Sequence, residues 1–510
     1  MRQGYVTHVH ADGPDTPICD EESWALSNQN KSRLDTLQAK VLSMEAAHEY
    51  LNSSDTWFGL RYQIGNANSE GEPVGNLFRL KHMQEIFKIG GYMVKDDHSR
   101  KKLHPSDHRY YEDGSPVDFT GADGHYQWGP GVGLWYGAWI DNGWKYEAID
   151  NRRIPGVPCV YIPVFSRSCA GYAALDRTNN RLCGYINKTA QFRGGNNSAW
   201  DDTYRSLLGK PVSNIGMPTL ATYARANGDL WFTSERVALF ITGVLIRIYF
   251  HNRNIQAARN TQLTADGLPQ GGLGAGADYP SDWSSNRGYN PYLDLDLGIE
   301  LGDFTGLFST TIKDADDNDV AIGNIPCFMG LKNFYKYLWT MTEDELLICQ
   351  ADGSQAFYVE EMIDGSRFDV SGAGNHLLIG KTPARASAGW SYIKDINTDY
   401  MSGMPVEVDA TGSTFFADGY YNPAGEAGSV RGALRLGDAT MVSMPARACS
   451  MVALPPRLPM RAGARSSVNS RHHSAQSSRS AHDKLALEEC REHHRRQAVA
   501  SPPGEALSNK

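Results

Sequence analysis

Three stretches of this chain carry residue types at spacings that support chemistry, and each falls short of the constellation it suggests. His8-Val9-His10-Ala11-Asp12 has the His-x-His-x-Asp spacing with which some metallohydrolases gather ligands at a strand end. Catalytic zinc needs three protein ligands and an open position for water. No histidine follows Asp12 closely, so no metal site is expected there. Asp314-Ala315-Asp316-Asp317-Asn318-Asp319 opens like a calcium loop, with oxygens at positions one, three and five. Such a loop needs glycine at position six and a bidentate glutamate at position twelve. Here those positions are Asp319 and Ile325, so an acidic hairpin turn is the main reading, with only weak adventitious calcium beside it. Residues 271–276 (GGLGAG) imitate a phosphate loop, which requires a preceding strand and a following helix. Pro280, Asp282 and Trp283 follow instead, as befits a structural glycine-rich turn.

No nucleophile elbow, Ser/His/Asp set or carboxylate pair stands out by spacing, so neither a catalytic residue nor a cofactor is expected. Aromatic residues at 10% and 51 glycines suit a binding surface better, since rigid rings contact ligands at low entropic cost. The eight cysteines show no CxxC and no even framework, which argues against a disulfide scaffold and a zinc ribbon.

The elements that must position such a surface follow from composition and pattern. At 510 residues the chain is too long for one small core, and 41% hydrophobic with 21% charged residues fits a folded protein. The net charge of −9 is unevenly spread: residues 445–510 hold 11 Lys+Arg against 5 Asp+Glu, or +6, leaving −15 for residues 1–444. An acidic body repels a phosphate backbone, so nucleic acid is not an expected partner. No apolar stretch follows Met1, and no secretory signal is expected. The longest apolar run, VALFITGVLIRIYF at 237–250, is shorter than the ~20 residues of a membrane span and contains Arg247. It reads as a buried core helix after a Thr233-Ser234 start, and membrane insertion is not expected.

Leu34, Leu37, Val41, Met44, His48 and Leu51 form a 3-4-3-4-3 seam, fitting either self-association or an amphipathic helix packed on the next domain. Residues 57–165 alternate aromatic-rich runs with turn clusters, and Asp141-Asn142-Gly143 between two of them signals a hairpin. A short helix is expected over residues 218–227, closed by Gly228. Residues 441–510 contain no Trp, Tyr or Phe and can bury little apolar area. The expected organisation is an N-terminal arm with a short helix at 1–55, a small β-rich domain at 56–165, a larger domain at 166–444 and a basic tail at 445–510.

Several segments resemble phage tail-fibre and related variable proteins of diversity-generating retroelements from gut bacterial communities. They are FRGGNN at 192–197, AWDDTYRSLLG at 199–209, TYAR at 222–225, QLTADG at 262–267 with QGGLG at 270–274, GYNP at 288–291, Leu338-Trp339 after the helix-like residues 332–337, and VRGAL at 430–434 with GDA at 437–439. The resemblance covers roughly residues 55–440. It implies an α+β chain whose 166–444 region has the C-type-lectin fold of the formylglycine-generating-enzyme subtype. It also implies a tail-fibre location in the virion after synthesis in the host cytoplasm, and a displayed, variable surface that binds a host cell-surface receptor, glycan or protein. A trimer-forming N-terminal segment would make the chain a homo-oligomer and add avidity. Tyr420, Tyr421, Asp438 and Thr440 flank the Arg431-Gly432 motif and are the candidate ligand-binding residues, with ordinary loop packing the alternative for the two tyrosines. Two other functions stay open. A formylglycine-generating-type enzyme would need a copper-binding cysteine pair, for which Cys327 and Cys349 are the late candidates. A prophage-encoded bacterial surface lectin is the third.

The family continues after Ala439 with Gly-x-x-Ala-Gly, whereas here Met441, Val442 and a basic tail follow. In the neighbouring reading frame, Met441 followed by Val442 forces Gly, Met444 followed by Pro445 forces Ala, and Pro445 followed by Ala446 permits Gly. A frameshift near Thr440 is therefore expected, the alternative being a genuine disordered tail. DNA sequencing of the gene decides: an open neighbouring frame past Thr440 is the expected result, and a stop within a few codons refutes the shift.

Overall fold

The computed structural model describes residues 7–8, 16–17, 55–192, 208–212, 215–259, 263–268, 295–299, 301, 305–313, 319–335, 339–360, 376–435, 447–448 and 452–453. The chain divides into two units, Met1–Pro456 and Arg457–Lys510, the second of which lies outside the described residues. Strands dominate the first unit and helices are few, as expected of a strand-rich α+β chain. The 34–51 seam, residues 193–207 and 271–276, Asp438 and Thr440 all lie outside the described residues.

One antiparallel sheet runs in the order Cys159–Ile162, Leu134–Asp141, Trp144–Asp150, Phe58–Gln63, Glu72–Gly75. Its central hairpin turns at Asn142-Gly143, with Asp141 opposite Trp144. Both turn residues have positive φ, +48° and +82°, the conformation that Asn-Gly adopts most readily. Strand pleating sends Phe58, Leu60 and Tyr62 into the core. On the opposite face Trp139 and Tyr146 stack at 4.8 Å, and the Arg61 guanidinium sits 4.4 Å from the Trp144 ring centre. These rings cover one another and sheathe the sheet.

A second sheet runs Trp231–Phe232, Val452–Ala453, Ser166–Ser168, His125–Gly129, Gly90–Val94, Arg100–His104, Asp107–Tyr111. Ser166–Ser168 pairs with His125–Gly129, and one hydrophobic cluster draws on residues from Phe58 to Phe416. Sheet and core thus run across residue 165, where the pattern of runs and turns suggested a boundary. Val452–Ala453 bridges two strands of this sheet, beyond residue 444. The acidic run at 314–319 joins Leu307–Lys313 to Asp319–Phe328, antiparallel strands with Lys313 opposite Asp319, as a hairpin turn requires; residues 314–318 lie outside the described residues. The helix-like reading of 332–337 does not hold for the described part, because Leu331–Lys332 is a strand paired with Cys327 and Phe328.

The helix Arg236–Phe250 lies within the described core, with Val237, Ile241, Val244, Leu245 and Ile248 all buried. Its apolar character on nearly every side matches its surroundings: Trp144–Asp150 and Phe58–Gln63 pack on it, as does Trp339–Cys349. It starts one turn-position later than the Thr233-Ser234 signal suggested, at Glu235, because the Thr233 hydroxyl donates to Glu343 Oε2 (2.8 Å) instead of capping the helix. The second helix, Met217–Arg225, ends as expected near Gly228, whose N–H donates to the Arg225 carbonyl. Two charges enter the core helix's packing. Arg247 donates from Nε (2.9 Å) and Nη2 (2.7 Å) to the two oxygens of Glu147, which also accepts from the Tyr136 hydroxyl at 3.1 Å. Burial disfavours the Glu147 carboxylate, yet Arg247 more than compensates and holds its pKa below the usual range.

The third sheet, His376–Lys381, Gln355–Glu360, Trp339–Cys349, Val430–Arg435, carries the most unusual packing. Between Met341 and Leu346 the register against Val430–Arg435 slips, and the bulge turns Glu343, Asp344 and Glu345 into the protein. Each meets a different arginine. Glu343 pairs with Arg225 of the second helix, Asp344 with Arg236 of the core helix, and Glu345 with Arg435 of the last strand. Glu343 also accepts from the Thr233 N–H at 2.8 Å, and Asp344 from the Arg236 N–H at 3.0 Å.

Removing one partner of a buried ion pair strands the other charge, at a cost of about 3–5 kcal/mol, whereas replacing both with apolar groups is often neutral. Arg247→Met should therefore destabilise the protein by about 3–5 kcal/mol in chemical denaturation. Adding Glu147→Leu should recover most of that loss.

Candidate functional site

The candidate ligand-binding residues that the structure describes lie on a two-stranded ribbon, Gly389–Tyr392 against Gly419–Asn422. Trp390 stands opposite Tyr421, and Ser391 opposite Tyr420. Alternation along the strand then gives the two adjacent tyrosines opposite fates. Tyr420 turns inward and donates its hydroxyl to Thr382 Oγ1 (3.0 Å), which also accepts the Gln355 N–H at 3.1 Å. Burial raises the Tyr420 pKa, an effect the Thr382 bond only partly offsets. Asn422 points the same way and is fully buried, accepting from Gln355 Nε2 (3.1 Å) and donating to the Gly353 carbonyl (2.9 Å). Tyr421 turns outward and is 44% exposed, beside Trp390 at 37%. Their ring centres lie 5.2 Å apart with planes tilted by 58°.

Two details hold this pair in place. A Cβ on Gly419 would come within 3.1 Å of the Trp390 ring, so the ring lies directly over that backbone and glycine lets it do so. Arg385 fastens the neighbouring strand, donating from Nη1 to the Trp390 carbonyl (3.0 Å) and the Ser391 hydroxyl (2.5 Å). The ribbon is in turn tied to the core. Gln256 donates to Asp418 at 2.6 Å, and Lys145 of the first sheet donates to Asp395 at 2.6 Å. Burial pushes the Asp418 carboxyl up to about 6, against the pull of Gln256 and Arg247.

Trp390 was not among the sequence candidates. Its signal was present in the spelling Gly389-Trp390-Ser391-Tyr392, a short alternating run that matches Gly419-Tyr420-Tyr421-Asn422 in composition. Only the pairing of the two runs shows that Trp390 and Tyr421 share a face.

Groups with catalytic types elsewhere serve other bonds. His125 Nε2 meets Asp96 at 2.8 Å, while Nδ1 accepts the Gly184 N–H at 3.1 Å, so both ring nitrogens are engaged. Burial lowers the His125 pKa despite Asp96. His108 bonds the Tyr126 hydroxyl at 2.5 Å, and burial and the Lys332 charge push it down to about 3. It borders a cavity of about 10 Å³ with Gly90, Gly91 and Gly330, room for a single water. Burial drives the Cys169 and Cys183 thiols up to about 12, away from the thiolate. Cys327 and Cys349 stand in separate sheets; the first bonds the Leu301 carbonyl at 3.0 Å. The second, opposed by burial, is held below the usual thiol range by Ser429 and Arg431. Among the described residues no group of three His, Cys, Asp or Glu could hold a metal ion, and no helix is long and apolar enough to cross a membrane.

The arrangement defines a strand-rich protein that holds out a rigid aromatic pair from a ribbon fastened beneath. No family model, curated protein or solved structure matches the chain.

Because Tyr420 faces inward and Tyr421 outward, conservative changes should separate their roles. Tyr420→Phe removes one buried hydrogen bond and should cost about 1 kcal/mol in urea unfolding. Tyr421→Phe should leave the unfolding midpoint unchanged.

Proposed function

We propose that this chain is a receptor-binding protein of a phage tail fibre, non-enzymatic and homo-oligomeric, built on a C-type-lectin-like fold that displays a recognition surface to the host cell. The exposed pair Tyr421–Trp390 carries the reading. Large rings ordered before binding lose little conformational entropy on contact and are the side chains that most often dominate binding energy. Their support comes from a rigid network on the inner face, so their side chains can change without disturbing the core. The segments resembling variable tail-fibre proteins support the same reading, and VRGAL at 430–434 is now part of Val430–Arg435, a strand of the sheet that also holds Gln355 and so reaches the ribbon through Asn422.

Recognition by Tyr421 and Trp390 has a measurable outcome. Flow cytometry of labelled protein on a panel of gut bacteria should find a strain that binds. Tyr421→Ala with Trp390→Ala should lower affinity for it at least about tenfold, the effect of losing ~1.4 kcal/mol or more. Binding to no strain, by this chain and by its counterpart in the neighbouring frame after Thr440, refutes the function. Binding that ignores the double substitution moves recognition to another surface.

A further inference from the structure

The bulge of Trp339–Cys349 holds more acid than its arginines can answer. Glu343, Asp344 and Glu345 each take one guanidinium, from Arg225, Arg236 and Arg435 respectively. Glu235, the residue that begins the core helix, is only 3% exposed and lies at the bulge, since the Ser234 carbonyl before it accepts the Glu343 N–H (3.1 Å) and the Arg236 N–H after it donates to Asp344 (3.0 Å). Among the described residues these four carboxyl groups lie with three guanidinium groups, Glu360 of the neighbouring strand adds a fifth acid, and Glu235 has no ion pair. Three described elements bring charge to it. The core helix contributes Arg236, whose guanidinium also donates to the carbonyls of Tyr400 and Glu360. The bulge contributes Glu343 and Asp344, and the strand Gln355–Glu360 contributes Glu360, all three of which act on Glu235 as negative neighbours. Arg225 and Arg435 reach the site through Glu343 and Glu345.

A surplus carboxylate buried among other carboxylates is not sustained as an ion; the site favours the neutral acid. We propose that Glu235 is a proton latch: it is protonated in the folded chain, and losing that proton loosens the join between the core helix and the sheet that carries the last strand, Val430–Arg435. Burial and the neighbouring acids both hold the proton on Glu235, and Asp344 is displaced in the same direction, chiefly by burial. Both groups bind their protons more tightly folded than unfolded. The stability they contribute is therefore fully present below the ordinary carboxyl range and is lost as the pH rises toward the folded-state values. This is opposite in sign to Glu147, whose pairing with Arg247 stabilises the fold once the pH is above the carboxyl range.

The latch lies at a mechanically significant point. Helix Arg236–Phe250 packs on both the first and the third sheets, and the bulge is where the third sheet meets it. Loosening there would free Val430–Arg435 and its partner strand while the first sheet, tied to the helix by Arg247 and Glu147, stays closed.

Hydrogen exchange read by mass spectrometry on the full chain tests this. After correction for the intrinsic exchange rate, the opening constant of peptides covering 339–349 and 430–435 should rise with pH by up to about tenfold per unit above about pH 6, where Asp344 has given up its proton, while that of 90–94 should not follow it. Glu235→Gln keeps the shape and removes the titration. It should flatten most of that rise and protect the same peptides at neutral pH. Infrared spectroscopy supplies a second reading that does not need the variant to be stable: the wild-type protein at neutral pH should show the carbonyl band of a protonated carboxyl group. A flat or falling opening constant in the wild type, an unaltered pH slope in Glu235→Gln, or the absence of that band each overturns the proposal.

Discussion

Placing Glu343, Asp344 and Glu345 inside the fold takes three adjacent carboxylates out of water, at several kcal/mol each before any compensation. The β-bulge makes the placement geometrically available, since without the slipped register alternate residues of a strand would point to opposite faces. The three arginines make it energetically tolerable. Because Arg225, Arg236 and Arg435 come from three different elements, satisfying the acids requires all of them to arrive together. A buried ion pair adds little stability relative to an apolar pair of the same size, but a missing partner is very costly. The network thus acts mainly on which arrangement forms: a shift of the second helix, the core helix or the last strand would leave a buried charge alone.

The rest of the molecule is organised around the helix this network anchors. Apolar surface on nearly all sides forces Arg236–Phe250 into the interior, and its two arginines, eleven positions apart, serve different sheets. Arg236 binds the bulge, and Arg247 binds Glu147 in the first sheet. From Lys145, two residues before Glu147, a further ion pair reaches Asp395 next to the ribbon of Gly389–Tyr392 and Gly419–Asn422. The ribbon's aromatic pair is therefore connected to the core by a short series of charged and amide contacts, which fix direction in a way that apolar packing does not.

How much of this could be read from residue order differs between elements for physical reasons. The Asn142-Gly143 hairpin and the helices at Met217–Arg225 and Arg236–Phe250 are local, set by turn chemistry and by continuous apolar patterning, and residue order shows them. The bulge is not local. Thr342-Glu343-Asp344-Glu345 interrupts an apolar strand and resembles a solvent loop until the arginines, 90 or more positions away, are placed beside it. The division between Tyr420 and Tyr421 depended on the pairing partner as well. Two adjacent tyrosines in a short strand must face opposite ways, but which one is buried follows from Thr382 and Trp390. The boundary expected at 165 followed the end of a series of aromatic-rich runs and turn clusters, while the sheet crossing it is made by pairing between His125–Gly129 and Ser166–Ser168.

The position of Arg435 bears on the residues that follow it in the chain. It lies five residues before Thr440, and its bond to Glu345 is the last of the three that close the bulge. Every arginine and every acid of the network precedes Thr440. Residues downstream can therefore change in kind without removing a partner from these buried charges. The strands Arg447–Ala448 and Val452–Ala453 illustrate the other side of this tolerance, because backbone pairing of that sort depends little on which side chains are present. A scaffold whose costly polar interior is completed upstream leaves its end open to variation.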